Sequence, residues 1–300
     1  MVSAEVIVFS SNSETLAKTG AGLKGNDMGA IDRAFAKNIF ENSSPTRLPE
    51  LNLLARHDVY FDTRIADNPA VLEAAHALRY QVYCLERKFE KPEEHSNGLE
   101  FDQFDSHAVQ GVLFHRPTGR PIGTVRMILP SDCADDGMPI EQILREGNID
   151  LENFVEIGKC VEVSRFAISK EFRRRWTDDM AVADHALAPQ DAARQANLAF
   201  LSLVQFVLRQ SIERGVLHWT AVMEPMLLRM LARMGIHFRP IGPVVFHHGF
   251  RQPSYSYIPT VLEELQLEHP DYWEVVTNGG ELSERMALLA PPSPPMKHRA

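Results

Sequence analysis

Val161-Glu162-Val163-Ser164-Arg165-Phe166-Ala167-Ile168 sets two ionisable side chains inside an otherwise apolar, β-branched and aromatic run. A run this short, followed by basic residues, predicts a strand rather than a helix. Upstream, residues 109–114 and 122–129 are apolar runs flanking Pro117-Thr118-Gly119-Arg120, the composition of a turn between antiparallel strands. Residues 130–157, with Pro130, Asp132, Asp135, Asp136, Gly137 and Pro139, predict an insertion holding a short helix. Further back, Asn68-Pro69 is an N-cap with proline at the first helical position, and Val71, Ala75, Leu78 and Val82 share one helical face. That helix is expected to end near Tyr83. Downstream, residues 191–214 predict a long helix with Leu198, Leu201, Val204, Leu208 and Ile212 on its apolar face, ended by Gly215. A strand at 216–223, a helix from Pro225 to Gly235 and strands at 236–238 and 244–246 follow. The order helix, hairpin, strand, helix, strand, helix, strand predicts an α/β domain around a sheet of mixed direction.

The ends read differently. Residues 1–57 are rich in Ser, Asn, Gly and Lys and predict a poorly defined extension with one short helix near 31–40. The domain is expected over residues 58–260, followed by a C-terminal extension at 261–300 that closes on the disordered tail PPSPPMKHRA. Forty acidic residues against thirty-one basic ones give a net charge of -9, which argues against nucleic acid as a partner. The most apolar stretch, residues 198–208, is about half the ~20 residues of a spanning helix, so no transmembrane segment is expected. The start MVSAEVIVFSSNSE lacks the basic region of a secretory signal. Cys84, Cys133 and Cys160 are widely spaced and without CxxC pairing, which fits a reducing compartment; a cytoplasmic location is expected. The histidines, His247-His248 included, show no ligand spacing, and no metal site is expected.

An ion inside an apolar segment must be paired to survive desolvation, so Arg79 on the first helix, Arg126 in the second hairpin strand, and Glu162 and Arg165 in the third strand stand out. Taken singly, each fits the solvated face of a half-exposed sheet. Together they outline a site, with Asp102 and Asp105 of Glu100-Phe101-Asp102-Gln103-Phe104-Asp105 as carboxylates able to pair with the arginines.

Leu78-Arg79-Tyr80-Gln81-Val82-Tyr83, the D-x-x-D of Asp102 and Asp105, Gly123-Thr124-Val125-Arg126 and Glu162-Val163-Ser164-Arg165-Phe166, in this order, resemble the acyl-homoserine-lactone synthases. They resemble still more the PEP-CTERM/exosortase-associated acyltransferases and N-acyl amino acid synthases, over roughly residues 68–257. The resemblance implies a GNAT-like acyltransferase fold, with a mixed, mostly antiparallel central sheet flanked by helices. It also implies transfer of a fatty acyl group from an acyl carrier protein or coenzyme A thioester to the amine of a small acceptor such as an amino acid, with no tightly bound cofactor.

That reaction needs a carboxylate to take the amine's proton and fixed donors for the developing oxyanion. Glu162 is the first candidate base, acting through water, and Asp102 the second; Asp105, Arg126 and Arg165, with Ser164 beside them, would hold the cleft. Strict alternation puts Glu162 and Arg165 on opposite faces, so a bulge between them would let both serve one cleft. Arg79, Tyr83, Phe89, Phe104 and Phe166 are the candidate substrate-binding residues. Lys170, Arg173, Arg174 and Arg175 would meet the pantetheine phosphate or an acidic carrier protein, and the missing Gly-rich loop points to the carrier protein. Two other readings stay open. One is a signal synthase using S-adenosylmethionine, against which residues 84–95 hold Phe89 and no Trp; the other is a non-catalytic module that binds an acyl carrier.

Overall fold

Asn68 caps the first long helix as its side chain accepts the Val71 N–H at 3.1 Å, with Pro69 at the first helical position. In this computed structural model, which describes residues 52–131, 137–170, 172, 189–246 and 249–290, that helix is α2, Pro69–Arg79. It does not end near Tyr83. The chain continues as a π-helix, Tyr80–Glu86, in which Arg87 N–H donates to Val82 O at 3.0 Å. No glycine or proline interrupts the segment before Pro92, and the wider register turns Val82, Tyr83 and Cys84 inward.

The expected hairpin is β2, Ala108–His115, against β3, Arg120–Ile128, antiparallel from Ala108↔Ile128 to Leu113↔Gly123. Gly119 takes the left-handed turn position, φ +65°. The insertion carries α3, Pro139–Glu146, and the third strand is β4, Cys160–Ile168, antiparallel to β3. Helix α4, Pro189–Glu213, and strand β5, His218–Met223, follow, with Gly215 at φ +67° between them. Helix α5 is Pro225–Arg233.

Some elements depart from expectation. Helix α1, Leu53–Tyr60, leads directly into an edge strand, β1, Phe61–Ile65, that pairs with β2. Residues 236–238 are not a strand: Ile236 N–H donates back to Leu231 O at 3.0 Å to finish α5, and Ile236 is buried in the core. Pairing falls instead on β6, Arg239–Pro240, β7, Val245–Phe246, and the longer β8, Phe250–Tyr257. Helices α6, Ile258–Glu268, α7, Pro270–Thr277, and α8, Glu281–Leu289, complete the described chain. Their Val261, Leu265, Val275, Leu282 and Met286 enter the same core as β4 and α4, and α6 runs across residue 260. The short helix expected near 31–40 and the tail at 291–300 lie outside the described residues.

Among the described residues the sheet has eight strands in the order β1-β2-β3-β4-β5-β8-β6, with β7 paired to β8. All neighbours are antiparallel except β4 and β5. The fold is therefore a mixed, mostly antiparallel sheet flanked by helices, as expected. On one face, Val161, Val163, Phe166 and Ile168 of β4 pack with Leu198, Leu201 and Val204 of α4 in the main core. The other face carries the charged side chains.

Candidate active site

Between β3 and β4 the register runs Thr124↔Ala167 and then Arg126↔Ser164, so Val125 alone opposes both Arg165 and Phe166. This is a β-bulge, and Arg165 sits in it at φ +48°. The extra residue changes the alternation of side chains. Glu162 and Ser164 face away from α4, the bulge adds Arg165 to their side, and Phe166 returns to the core beside Phe200, ring centroids 4.8 Å apart.

Three fully buried guanidiniums meet four carboxylates on that face. Arg79, from the last turn of α2, donates through Nε to Glu100 and through Nη1 and Nη2 to Asp105 at 2.7 and 3.0 Å, and Nη1 also reaches Gln110 at 3.1 Å. Arg126 donates to Asp102 at 2.6 Å, Asp105 at 2.9 Å and Ser164 Oγ at 3.0 Å. Arg165 reaches Glu100 at 2.9 Å, Glu90 at 3.1 Å and Asp102 at 3.4 Å, with its guanidinium over the buried Tyr83 ring at 4.9 Å. The two aspartates are fixed by their own loop: Asp102 accepts from Phe104 N at 2.9 Å, and Asp105 accepts from Asp102 N at 2.8 Å, a reciprocal capping box.

The electrostatics follow from this pairing. Burial alone would raise the carboxyls of Glu100 and Asp105, but Arg165 and Arg79 at Glu100, and Arg79 and Arg126 at Asp105, outweigh it and hold both well below the usual range. Burial likewise works against charge on Arg79 and Arg165, and the carboxylates reverse it. Glu162 is different. Burial pushes its carboxyl up to about 8, only partly opposed by the Ile140 N–H, which donates to Oε2 at 2.8 Å, and by Arg126 at longer range. Glu162 Oε1 and Arg126 Nη2 are buried and make no hydrogen bond among the described residues. Burial also pushes the thiols of Cys84 and Cys160 up to about 12, so neither is a ready nucleophile.

Glu162 also marks a break in the sheet. The parallel register of β4 with β5 runs only from Cys160↔His218 to Glu162↔Thr220, although β4 continues to Ile168 and β5 to Met223. Beyond that point, on the α4 face, Val163, Phe166, Phe200, Trp219, Met223 and Phe238 are among the apolar side chains around a cavity of about 40 Å³. Of the residues singled out from sequence, Glu162, Asp102, Asp105, Arg126, Arg165, Ser164, Arg79 and Tyr83 thus converge on one face. Phe104 is buried in a neighbouring cluster with Ile128 and Leu144, Phe89 packs with Val82 and Tyr83, and Phe166 lies on the opposite face at the cavity. Lys170 is exposed, its N–H donating to the Glu86 carboxylate at 3.3 Å. Arg173, Arg174 and Arg175 lie outside the described residues. Sequence reasoning passed over Glu90 and Glu100 as partners of Arg165, although Glu100 opens the alternating acidic segment that supplies Asp102.

Residues 78–183, which span Arg79, Asp102, Asp105, Arg126, Glu162 and Arg165, match the family model described as the acetyltransferase (GNAT) domain. The match is to these residues and does not extend over the rest of the chain. No curated protein matches the chain in sequence. Among solved structures, the chain is similar to TofI in a ternary complex with an inhibitor and MTA, at 19% identity over 69% of this chain and 96% of that one, TM-score 0.49. FeeM, an N-acyl amino acid synthase from uncultured soil microbes, is 20% identical over 69% and 96%, TM-score 0.45. BjaI, a CoA-dependent acyl-homoserine lactone synthase with SAM and isopentyl-CoA, is 18% identical over 74% and 87%, TM-score 0.45. Among the described residues no helix is long and apolar enough to cross a membrane.

Proposed function

We propose that this GNAT-type domain moves a fatty acyl group from a carrier thioester, on acyl carrier protein or coenzyme A, to the amine of a small acceptor such as an amino acid, with Glu162 as the base. The observation that carries this is a fully buried carboxyl, raised to about 8, with one oxygen unpartnered, at the residue where β4 and β5 cease to pair. A base of that pKa is matched to proton transfer near neutral pH, which the arginine-bound Asp102 and Asp105 are not placed to perform. In the reaction the neutral amine nitrogen bonds to the thioester carbonyl carbon and its proton passes through water to Glu162; the carbon–sulfur bond then breaks, and the departing thiolate takes up that proton to leave as the thiol, which returns Glu162 to its carboxylate form. The apolar cavity on the other face of β4 suits part of the acyl chain. Backbone N–H groups of β4 or β5 beyond the end of their pairing would be the donors for the oxyanion. The guanidinium–carboxylate network then acts as the rigid support of the bulge, and its Arg126 Nη2 is a donor left free for a polar group of the acceptor.

Thiol release from acyl carrier protein or acyl coenzyme A, measured against a panel of amines, tests the proposal. Release with amino acids, slowed about 10²- to 10⁴-fold in Glu162→Gln with donor binding retained, is expected. Release with S-adenosylmethionine alone would move the chain to signal synthesis. No release with any amine would make it a binding module.

A further inference from the structure

We propose that Glu141 and Arg145 of the insertion helix α3 are positioning residues for the base: acting through the first turn of the helix, they set how tightly Glu162 holds its proton. This rests on the reading of Glu162 as the base and deepens it. The first turn of α3 holds two carboxylates at once. Glu162, fully buried on β4, accepts through Oε2 the N–H of Ile140, the second residue of the helix, at 2.8 Å. Glu141, the third, folds back so that its Oε1 accepts the N–H of the N-cap residue Met138 at 3.1 Å. Both carboxylates therefore sit at the end of the helix whose N–H groups lack partners within it and whose dipole favours negative charge. Two anions sharing one turn repel each other, and the repulsion weighs most on the one that water screens least, Glu162. Glu141 has a partner of its own: its Oε2 accepts from Arg145 Nη2 at 2.9 Å, with the Arg145 side chain 68% exposed and that of Glu141 18%.

The groups that face Glu162 from each packed element separate the contributions. Burial acts first and raises the carboxyl; the Ile140 N–H and Arg126 of β3 oppose it, while Glu141 of α3 and Asp102 of the segment before β2 add to it. On the same strand, the Cys160 thiol is pushed up to about 12 and stays neutral, and β5 supplies the uncharged Thr220. Arg126 and Asp102 bind each other at 2.6 Å inside the ion network, so changing either disturbs the bulge as well as the base. Glu141 and Arg145 stand outside that network and can be changed without touching it. Their effects are opposite in sign. Glu141 makes Glu162 harder to ionise, and Arg145, by neutralising Glu141, eases it.

The test follows the ionisation of Glu162 directly, through its carboxyl resonance in the full chain labelled with carbon-13 glutamate, from about pH 5 to about pH 10. Loss of the signal in Glu162→Gln assigns it. In parallel, kcat/KM for thiol release is measured over the same range with the donor and amine that the panel selects. Glu141→Gln keeps an acceptor for the Met138 N–H, so its melting temperature should stay near that of the wild type. The Glu162 midpoint should fall by about half a unit to one unit, which raises its ionised fraction at neutral pH about two- to fivefold, and kcat/KM there should rise with it. Arg145→Gln should move the midpoint the other way by about a quarter of a unit, more at low salt than at high, because an exposed pair is screened. Arg145→Lys should restore the wild-type midpoint. Unchanged midpoints in both glutamine variants, or shifts of the same sign, would mean that the pair only caps the helix and would overturn the proposal. A resonance that shifts as expected, with a rate limb that does not follow, would uphold the control of Glu162 by α3 and overturn Glu162 as the base.

Discussion

Glu162→Gln should flatten the dependence of stability on pH, and the size of the effect follows from the burial of one carboxyl. Burial raises Glu162 from an ordinary 4.5 to about 8, more than the Ile140 N–H and Arg126 lower it. The folded protein therefore holds this proton to higher pH than the unfolded chain does. Stability is fullest below about pH 4.5 for this group, is lost as pH climbs toward 8, and levels off above. At pH 7 the loss is about 3 kcal/mol relative to a neutral isostere. For a domain of this size that is a fall in melting temperature of about 6–12 °C between pH 4.5 and pH 7. Glu100 and Asp105, depressed by their arginines, act in the opposite sense: their contribution is present above about pH 4 and is lost as pH falls further. The wild type should thus be most stable in mildly acidic solution. Thermal melts by circular dichroism from pH 3.5 to 8.5, at one ionic strength, read both arms. Glutamine keeps the acceptor for Ile140 N–H and should abolish the alkaline arm while leaving the acid arm in place. A wild-type melting temperature that stays level from pH 5 to 8, or an identical slope in the variant, would mean that Glu162 titrates as an ordinary carboxyl, and its assignment as the base would fall with that result.

Further outcomes are expected from the same geometry. The rise of kcat/KM with pH should report an apparent pKa near 8, read from a pH–rate profile, and this limb should vanish in Glu162→Gln. Asp105→Ala strands Arg79 and Arg126 without the carboxylate they share and should lower stability by about 3–5 kcal/mol, seen in denaturant melts; a variant that melts with the wild type would remove the network from the folding argument. Gly111→Ala would bring a methyl to 2.5 Å from Phe206 Cε1, and the forced shift of that core ring should cost about 1–3 kcal/mol by the same measurement. Arg173→Glu with Arg174→Glu should raise KM for an acyl carrier protein with kcat nearly unchanged and should spare a short pantetheine thioester; equal loss with both donors would refute the docking of a carrier protein at those cations.

How far the sequence exposes this site depends on what each residue must satisfy. Arg126, Glu162 and Arg165 were legible because an ion among Val, Ile and Phe demands a partner, and the D-x-x-D segment was the nearest supply. Glu90 and Glu100 were harder to find, since loop residues follow no period and their partner Arg165 comes from more than sixty positions away. Strands β1 and β8 escaped for a related reason: Phe61-Asp62-Thr63-Arg64-Ile65 and Phe250-Arg251-Gln252-Pro253-Ser254-Tyr255-Ser256-Tyr257 carry little aliphatic content, and Pro253 argues against a central strand. β8 nonetheless lies between β5 and β6 because Pro253 still presents its carbonyl, which accepts the Ile241 N–H at 3.0 Å. The bulge is the instructive case. Counting faces showed that one extra residue was needed between Glu162 and Arg165, and the ladder places it at Arg165 itself, in the left-handed conformation that a non-glycine residue enters only at a cost of about 1–2 kcal/mol. Nothing local in Ser164-Arg165-Phe166 favours that conformation. What holds it is the guanidinium's engagement with Glu90, Glu100 and Asp102 on one side, together with the packing of Phe166 against Phe200 on the other. The distortion that gathers the polar face is thus stabilised by contacts with loops and helices distant in sequence, which is why its need was readable from the strand alone and its support was not.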